Sequence, residues 1–406
     1  MRLAAEKKRR VLLILEATLG GTGRHILDLA RGLLERGNDV HLIYSTLRAD
    51  VQFQRGLEKL RIEWPKFRCA DIRITRAVTP SDAIAFFQLF LYLRRNGPFD
   101  IVHGHSTKAG FLARLVPGAG TAAKVYTPHA LMTMDPWLGS ARRLAVSLLE
   151  AFLATRSSKV IVVSRDEWRC ALETGLPEQK LVLIENGVDL AALSFRAQRR
   201  MEIRASLGVP ADAFCVGFIG RLTEQKKPTR VLEAFSIVKR KSRTPVKLVV
   251  IGYGPLEGSL KTRAAVLGLE RDVIWAGPVD GAAYVAAFDV LAHASLYEAF
   301  AYVFLEALAS GVPFVSTRVG VSEELAEGGG AGFVCQPWNT EYFAELLLRM
   351  IENPMLRTEM SEAAKRASAA FDLGRMLSGI SSVYESVAPT CPRHAQDLEA
   401  ATGDSR

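Results

Sequence analysis

Twelve short apolar runs, separated by segments long enough to hold helices, punctuate the chain between Val11 and Gln336. In the first half they are "VLLILE" (11–16), "VHLIY" (40–44), "DIVH" (100–103), "KVYT" (124–127), "KVIVVS" (159–164) and "LVLIE" (181–185). In the second half they are "FCVGFIG" (214–220), "KLVVIG" (247–252), "VIWAG" (273–277), "VLAHAS" (290–295), "PFVST" (313–317) and "GFVCQ" (332–336). Apolar runs that do not alternate with polar residues mark strands covered on both faces, and parallel neighbours need a crossover that is usually a helix. The expected fold class is therefore α/β: two Rossmann-like, doubly wound parallel-sheet domains facing a central cleft.

The break between the two sets lies near 190–212, a stretch that carries charge but no strand. This reading gives a basic N-terminal extension (1–10), a first domain (11–195) and a second domain (196–370). An amphipathic helix at 371–388 is expected to pack back on the first domain, and a polar tail (389–406) is expected to be disordered. A chain of 406 residues suits two domains, and 49% hydrophobic against 23% charged residues excludes global disorder.

Several classes fall away. The five cysteines (Cys69, Cys170, Cys215, Cys335, Cys391) are scattered, which argues against a disulfide framework or a zinc site and for a reducing compartment. The longest apolar stretch, "AIAFFQLFLYL" (83–93), is shorter than a membrane span, is interrupted by Gln88 and runs into Arg94 and Arg95. It reads as a buried or interfacial helix. The opening "MRLAAEKKRR" has no apolar core before its basic cluster, so it does not read as a secretory signal. A cytoplasmic location is expected.

The net charge of +9 is unevenly placed. Residues 1–189 hold 28 Lys and Arg against 19 Asp and Glu, whereas residues 190–406 hold 24 of each. All the excess lies in the first half, which points to an anionic partner there: nucleic acid, a phospholipid surface or a phosphorylated acceptor.

In open α/β sheets, ligands bind beyond the carboxyl ends of the strands, so the loops there carry the chemistry. After the first run, Gly20 and Gly21 precede a helix expected from Thr22 or Gly23, whose free N–H groups make an anion site; a tight turn alone would explain the pair equally well. Arg221 ends the "FCVGFIG" run and Lys226 follows it, with a helix expected from Pro228. Two cations at the mouth of a sheet suit a diphosphate, although two solvated surface charges would look the same. In "SLYEAFAYVFLEALASG" (295–311), Glu298 precedes a helix expected from Tyr302 and Glu306 lies one turn inside it. Eight residues span about 12 Å at helical rise, more than the roughly 5–9.5 Å between glycosidase carboxylates. The spacing suits a clamp on a ligand with a ribose at one end and a hexose at the other.

The ordered set "GGTGRHILDLARGL", "DIVHGHSTKAGFLARL", "TPHA", "IENGVD", "GRLTEQKKP", "GYGPLE" and "SLYEAFAYVFLEALASGVPFVSTRVG" resembles the retaining family-4 glycosyltransferases of GT-B fold, over about residues 11–388. "YTPHALMTMDPWL" is most similar to bacterial enzymes of surface-polysaccharide assembly. The resemblance implies that Glu306 holds the ribose hydroxyls and Glu298 those of the donor sugar. It implies that Arg221 and Lys226 neutralise the leaving diphosphate, with Gly21 donating a backbone N–H to it and amides around Phe300, Ala301, Tyr302 and Val303 meeting it as well. His129 would sit beside the anomeric centre, backbone at Gly277, Pro278 and Val279 would read the base, and Asn186 would stand near the cleft. Tyr253, Ala299 and His293 depart from common family residues, and Ala299 would narrow the donor-sugar site.

The resulting expectation is a retaining transferase moving a sugar from a nucleoside diphosphate sugar to a glycan or lipid-linked diphosphate sugar, without cofactor and without metal, peripheral on the inner face of an anionic membrane. Rivals are a nucleotide-sugar epimerase of the same fold, which would need no acceptor, and a non-catalytic sugar-nucleotide-binding module. No nucleic-acid motif is present, so nucleic acid is not expected as a partner. His103 and His105 are read as acceptor contacts or as satisfied strand-end histidines. Trp137 and the helix "ARRLAVSLLEAFLA" are expected to pack rather than to anchor a membrane.

Overall fold

The computed structural model describes residues 8–75 and 79–388; Lys7, most of the basic extension and the tail from 389 lie outside them. The described chain folds into two all-parallel sheets. The first holds β1 (Arg10–Leu15), β2 (Asp39–Tyr44), β3 (Arg68–Asp71), β4 (Ile101–His105), β5 (Ala123–Thr127), β6 (Lys159–Val162) and β7 (Leu181–Leu183). Its order is β3-β2-β1-β4-β5-β6-β7. The second holds β8 (Phe214–Ile219), β9 (Val246–Ile251), β10 (Val273–Gly277), β11 (Val290–His293), β12 (Phe314–Ser316) and β13 (Gly332–Val334), in the order β10-β9-β8-β11-β12-β13. Each order reverses direction beside its first strand, and the cleft lies at these two switch points.

All twelve apolar runs are strands. The thirteenth, β3, is an edge strand of sequence RCAD with exposed ends, so its sequence carries no apolar run.

Helices cover both faces of the first sheet. On one side lie Gly20–Glu35, Val51–Glu63 and the last helix, Leu373–Val387, which share a core with β1 and β2. On the other lie Ser81–Asn96 and Thr107–Leu115, with Ser140–Thr155 alongside, as right-handed crossovers in the opposite direction require. The first helix buries Ile26, Leu29, Ala30, Leu33 and Leu34 at three- and four-residue spacing. It begins at Gly20, two or three residues earlier than the sequence suggests.

The chain passes from first to second domain at residues 186–189 and returns at 371–373. The two crossings touch: the Val188 N–H donates to the Phe371 carbonyl at 3.0 Å and the Leu373 N–H to that of Val188 at 3.0 Å. Gly187 permits this approach, because a Cβ there would stand 2.6 Å from the Asp372 carbonyl oxygen. The next helix, Leu190–Ala197, already packs in the core of the second domain through Leu193, so the crossing precedes residue 195. The returning helix buries Met376, Leu377, Ile380, Val383 and Tyr384 against the first sheet.

Candidate active site

One cleft of about 1380 Å³ lies between the domains. Strand-end loops and helix starts line it from both sides: Gly20, Gly21 and Arg24 with His129 and Asn186 from the first domain, and Arg221, Lys226, Val279, Glu298 and Glu306 from the second. Backbone at Phe300, Ala301, Tyr302 and Val303 completes the second wall. Three expected residues stand apart. Gly277, the last residue of β10, and Pro278 after it stand beside Val279 but do not line the cleft, and His105 is fully buried behind His129.

The helix Tyr302–Ala309 starts as expected, and burial on all sides explains its nearly continuous apolar sequence. Its cap, Ala301, sits at φ +68°, a left-handed conformation that costs a non-glycine residue on the order of 1 kcal/mol. Ser106, His129, Ala130 and Lys227 also have positive φ, so strain gathers on the loops around the cleft.

Each carboxylate of the pair is held by a cation. Glu298 receives the Lys226 ammonium, accepts from Ser295 Oγ at 2.7 Å and lies 3.4 Å from His293 Nε2. Burial opposes its ionisation, but Lys226 and His293 prevail and hold its pKa well below the usual carboxylate range. Glu306 is paired with Arg24, a residue of the other domain. Its burial is the larger influence and raises its pKa, with Arg24 acting against it. Arg221 lines the cleft and makes no ion pair or side-chain hydrogen bond among the described residues. It is a cation free to meet a diphosphate beside the two carboxylates. Lys227 pairs with Glu224 and lies 5.5 Å over the Trp137 ring, away from the cleft lining.

The first domain contributes a group of imidazoles. The Nδ1–H of His25 donates to Asn186 Oδ1 at 3.0 Å and stands 3.3 Å from the Tyr302 hydroxyl, which joins the first helix, the crossing segment and the second domain. His105 Nδ1 and His129 Nε2 share a hydrogen bond at 3.0 Å. Behind them the His103 ring lies tilted against His105, centroids 3.8 Å apart, and bonds the Tyr384 hydroxyl at 2.7 Å and Thr127 Oγ1 at 2.8 Å. Burial lowers the pKa of all four, to about 4 for His25 and well below the ordinary imidazole value for the others, so they are neutral at physiological pH. Glu167 shapes the loop that follows His129: it accepts from the Ala130 and Val163 N–H groups at 2.8 Å each. Burial raises its pKa to about 7 despite these bonds.

Among the described residues, His25, His105 and His129 are the grouping whose nitrogens, within 4.8 Å of one another, are spaced to take a metal ion. The hydrogen bond between His105 and His129 satisfies two of those nitrogens without one.

Further from the crossing, the cleft continues along the first domain. Glu16, buried at the end of β1, accepts from Ser106 Oγ and pairs with Arg48 at 3.2 Å. Lys108 pairs with Asp82 at 2.6 Å.

Arg24, His25, Glu16 and Glu167 were not singled out from the sequence. The signal for the first two was present: they follow Gly21 by three and four positions on a helix whose start faces the cleft. Gly21 itself packs on the other domain, for a Cβ there would stand 2.9 Å from the Tyr302 ring.

Two parallel-sheet Rossmann-like domains around a cleft of this kind define the GT-B architecture. Anabaena HepE, solved in complex with UDP and glucose, superposes with a TM-score of 0.77 at 21% identity, over 93% of this chain and 100% of that one. The Glycosyltransferase Family 4 model matches residues 19–192 and the Glycosyl transferases group 1 model residues 199–367. The chain belongs to the family-4 glycosyltransferases.

Among its relatives, the D-inositol 3-phosphate glycosyltransferase of Corynebacterium urealyticum is 26% identical over 343 residues, 79% of each chain. The UDP-Gal:alpha-D-GlcNAc-diphosphoundecaprenol alpha-1,3-galactosyltransferase of Escherichia coli is 25% identical over 316 residues, 75% of this chain and 79% of that one.

Proposed function

We propose that this glycosyltransferase moves a sugar from a nucleoside diphosphate sugar, with retention of anomeric configuration, to a lipid-linked diphosphate sugar or glycan acceptor in bacterial surface-polysaccharide assembly. The observation that carries the reading is the arrangement of charge in the cleft: two buried carboxylates, each countered by a cation, with the unpaired Arg221 beside them. In this reading Glu306 takes the ribose hydroxyls and Glu298 those of the donor sugar. Loops at Gly277, Pro278 and Val279 read the base from the edge of the cleft.

Negative charge develops on the leaving phosphate as the glycosidic bond breaks. Arg221, Lys226, the Gly21 amide and the start of the Tyr302–Ala309 helix stabilise it, and preorganised donors of this kind are usually the largest catalytic contribution. His129, neutral and fixed by His105, presents a polar group at the reacting centre. Closure of the domains excludes water and so suppresses hydrolysis of the donor. No metal is needed in this scheme, since two side-chain cations do its work.

A UDP-bound fold relative and a relative acting on a diphosphoundecaprenol-linked sugar support the choice of donor and acceptor class. No helix among the described residues is long and apolar enough to cross a membrane. Action at the cytoplasmic face of an anionic membrane therefore rests on peripheral attachment, supported by the positive first half. A thermal-shift series with UDP-, GDP- and ADP-sugars tests the reading, because a ligand that binds only the folded state raises its melting temperature. Stabilisation by one base series is expected. Failure of every nucleotide to stabilise the protein overturns the reading.

A further inference from the structure

The Ser140–Thr155 helix has three faces. Glu150, Leu153 and Ala154 are buried, and the buried Arg114 pins Glu150 through two bonds at 2.8 and 3.2 Å. A second face lines the cleft through Arg142, Val146 and Leu149. The third points to solvent although it is apolar: Leu144, Leu148 and Phe152, four residues apart, are 61%, 64% and 50% exposed. The sequence reading had this helix packed; the structure leaves its most apolar stripe uncovered. On the same side of the sheet, the Ser81–Asn96 helix exposes Ile84 and Phe87. Large apolar residues gathered on neighbouring elements, rather than scattered singly, mark an interaction surface.

We propose that this surface seats the protein on an anionic lipid bilayer by shallow insertion of the Leu144, Leu148 and Phe152 stripe, and that the adjoining branch of the cleft admits the lipid-linked acceptor from the membrane. The charge of the two helices selects this occupant. The only acid of the Ser140–Thr155 helix, Glu150, is buried and paired with Arg114, and the only acid of the Ser81–Asn96 helix, Asp82, is paired with Lys108. The exposed charges of the two helices and their ends are cationic: Arg142 and Arg156 at the two ends of the first, and Arg94 and Arg95 on the second. Anionic headgroups complement that pattern, whereas a second copy would bring cations against cations. An apolar face flanked by arginines is the composition of a helix lying in a membrane interface.

The cleft reaches this surface. Phe86, Phe111, Val146 and Leu149 line its first-domain branch, with Lys108 and Arg142 among them. An apolar wall bearing cations suits a lipid whose diphosphate lies at the headgroup plane and whose sugar points inward towards His129. Two other arginines of the first domain are engaged within the fold. The Arg143 guanidinium is spent on the carbonyls of Thr133, Asp135 and Leu138, and that of Arg10 on Asp39 and the carbonyls of Asn96 and Pro98.

This inference rests on the transferase reading for its acceptor, but its test does not. The full chain is floated with vesicles of phosphatidylcholine alone and of phosphatidylcholine with phosphatidylglycerol, at low and high salt. The wild type and the double variant Leu148→Glu/Phe152→Glu are compared with Val266→Glu, a substitution at an equally exposed apolar residue of the second domain. Wild type and Val266→Glu should float with the anionic vesicles and keep a substantial part of that binding in high salt. The double variant should bind at least about 10-fold less. Melting temperature with added UDP, and sedimentation without lipid, are measured on each protein.

Equal flotation of the double variant and the wild type, or no binding by the wild type, overturns the bilayer seat. So does a wild-type dimer that the double variant abolishes, which would assign the face to a second copy. If flotation behaves as stated and no nucleotide stabilises any of the proteins, the transferase reading falls and the seat stands. If UDP stabilises all three while the double variant floats like the wild type, the seat falls and the transferase reading stands.

Discussion

Arg24 of the first helix reaches across the cleft and pairs with Glu306 of the second domain. Its guanidinium also lies 5.4 Å over the Tyr302 ring. The carboxylate proposed to hold the ribose therefore has a charged partner, and that partner belongs to the opposite wall. Removing one member of a buried pair leaves the other uncompensated, at a cost of about 3–5 kcal/mol. Arg24→Ala should consequently loosen the closed arrangement. Small-angle scattering of the nucleotide-free variant should give a larger radius of gyration than wild type, with the excess removed by nucleoside diphosphate. Identical scattering curves would mean that the pair does not hold the domains.

The two glutamates should separate kinetically. A ribose contact is equally strong in ground and transition states, whereas a donor-sugar contact fixes the reacting centre. Glu306→Ala should weaken nucleoside diphosphate binding by about 10-fold or more, and Glu298→Ala should chiefly lower kcat. Calorimetry on both variants checks this. Unchanged affinity in Glu306→Ala removes the ribose assignment.

Charge neutralisation by side chains makes a claim about metals. Arg221→Ala and Lys226→Ala should each lower the rate by on the order of 10²-fold, while EDTA leaves the wild-type rate unchanged. The grouping of His25, His105 and His129 gives the experiment force, because inhibition by chelator and recovery with a transition metal would assign that cluster a catalytic ion.

The buried imidazoles tie stability to pH. His25 titrates at about 4 in the fold against 6.5 ordinarily. Between those values the unfolded chain binds a proton that the native state refuses, so the contribution is complete above pH 6.5 and is lost as pH falls towards 4. At pH 5 the loss is about 2 kcal/mol for this one residue. Denaturant unfolding of wild type and His25→Gln from about pH 7.5 to 5 isolates it from the other titrating groups. The wild type should lose more stability than the variant on acidification, and parallel curves would contradict the assignment.

Strain at the helix cap offers a test on the backbone. Ala301→Gly removes the penalty of φ +68° at a buried start of the helix lining the cleft, and should raise stability by about 0.4–1 kcal/mol if the conformation is kept. A lower melting temperature would show that the Ala301 methyl group contributes packing worth more than the strain.

The strands were readable because burial on both faces leaves a continuous apolar run, and β3 escaped because an edge strand of RCAD has no such need. Glu298 and Glu306 were readable because a buried acid in an apolar helix start has few structural uses. Arg24 was not, since its partner is set by how two domains close and not by neighbours in sequence. The outward stripe of the Ser140–Thr155 helix was hidden for a related reason. Leucine at four-residue spacing looks the same whether a neighbouring element covers it or none does.

The Tyr384 hydroxyl bonds His103, whose ring lies against His105, which in turn bonds His129. This column runs from the helix that follows the second domain to the proposed reacting centre, so the imidazole at the floor of the cleft is braced by a residue made after the whole second domain. During synthesis the first sheet can form while the second domain is still being made, yet the column stays incomplete until Tyr384 leaves the ribosome. A chain stopped even a few residues short of the last helix's final turn would keep most of its folded mass and lose the brace. The brace beneath the reacting centre then arrives only after the second domain has been made, which ties the first domain's half of the cleft to the synthesis of its partner.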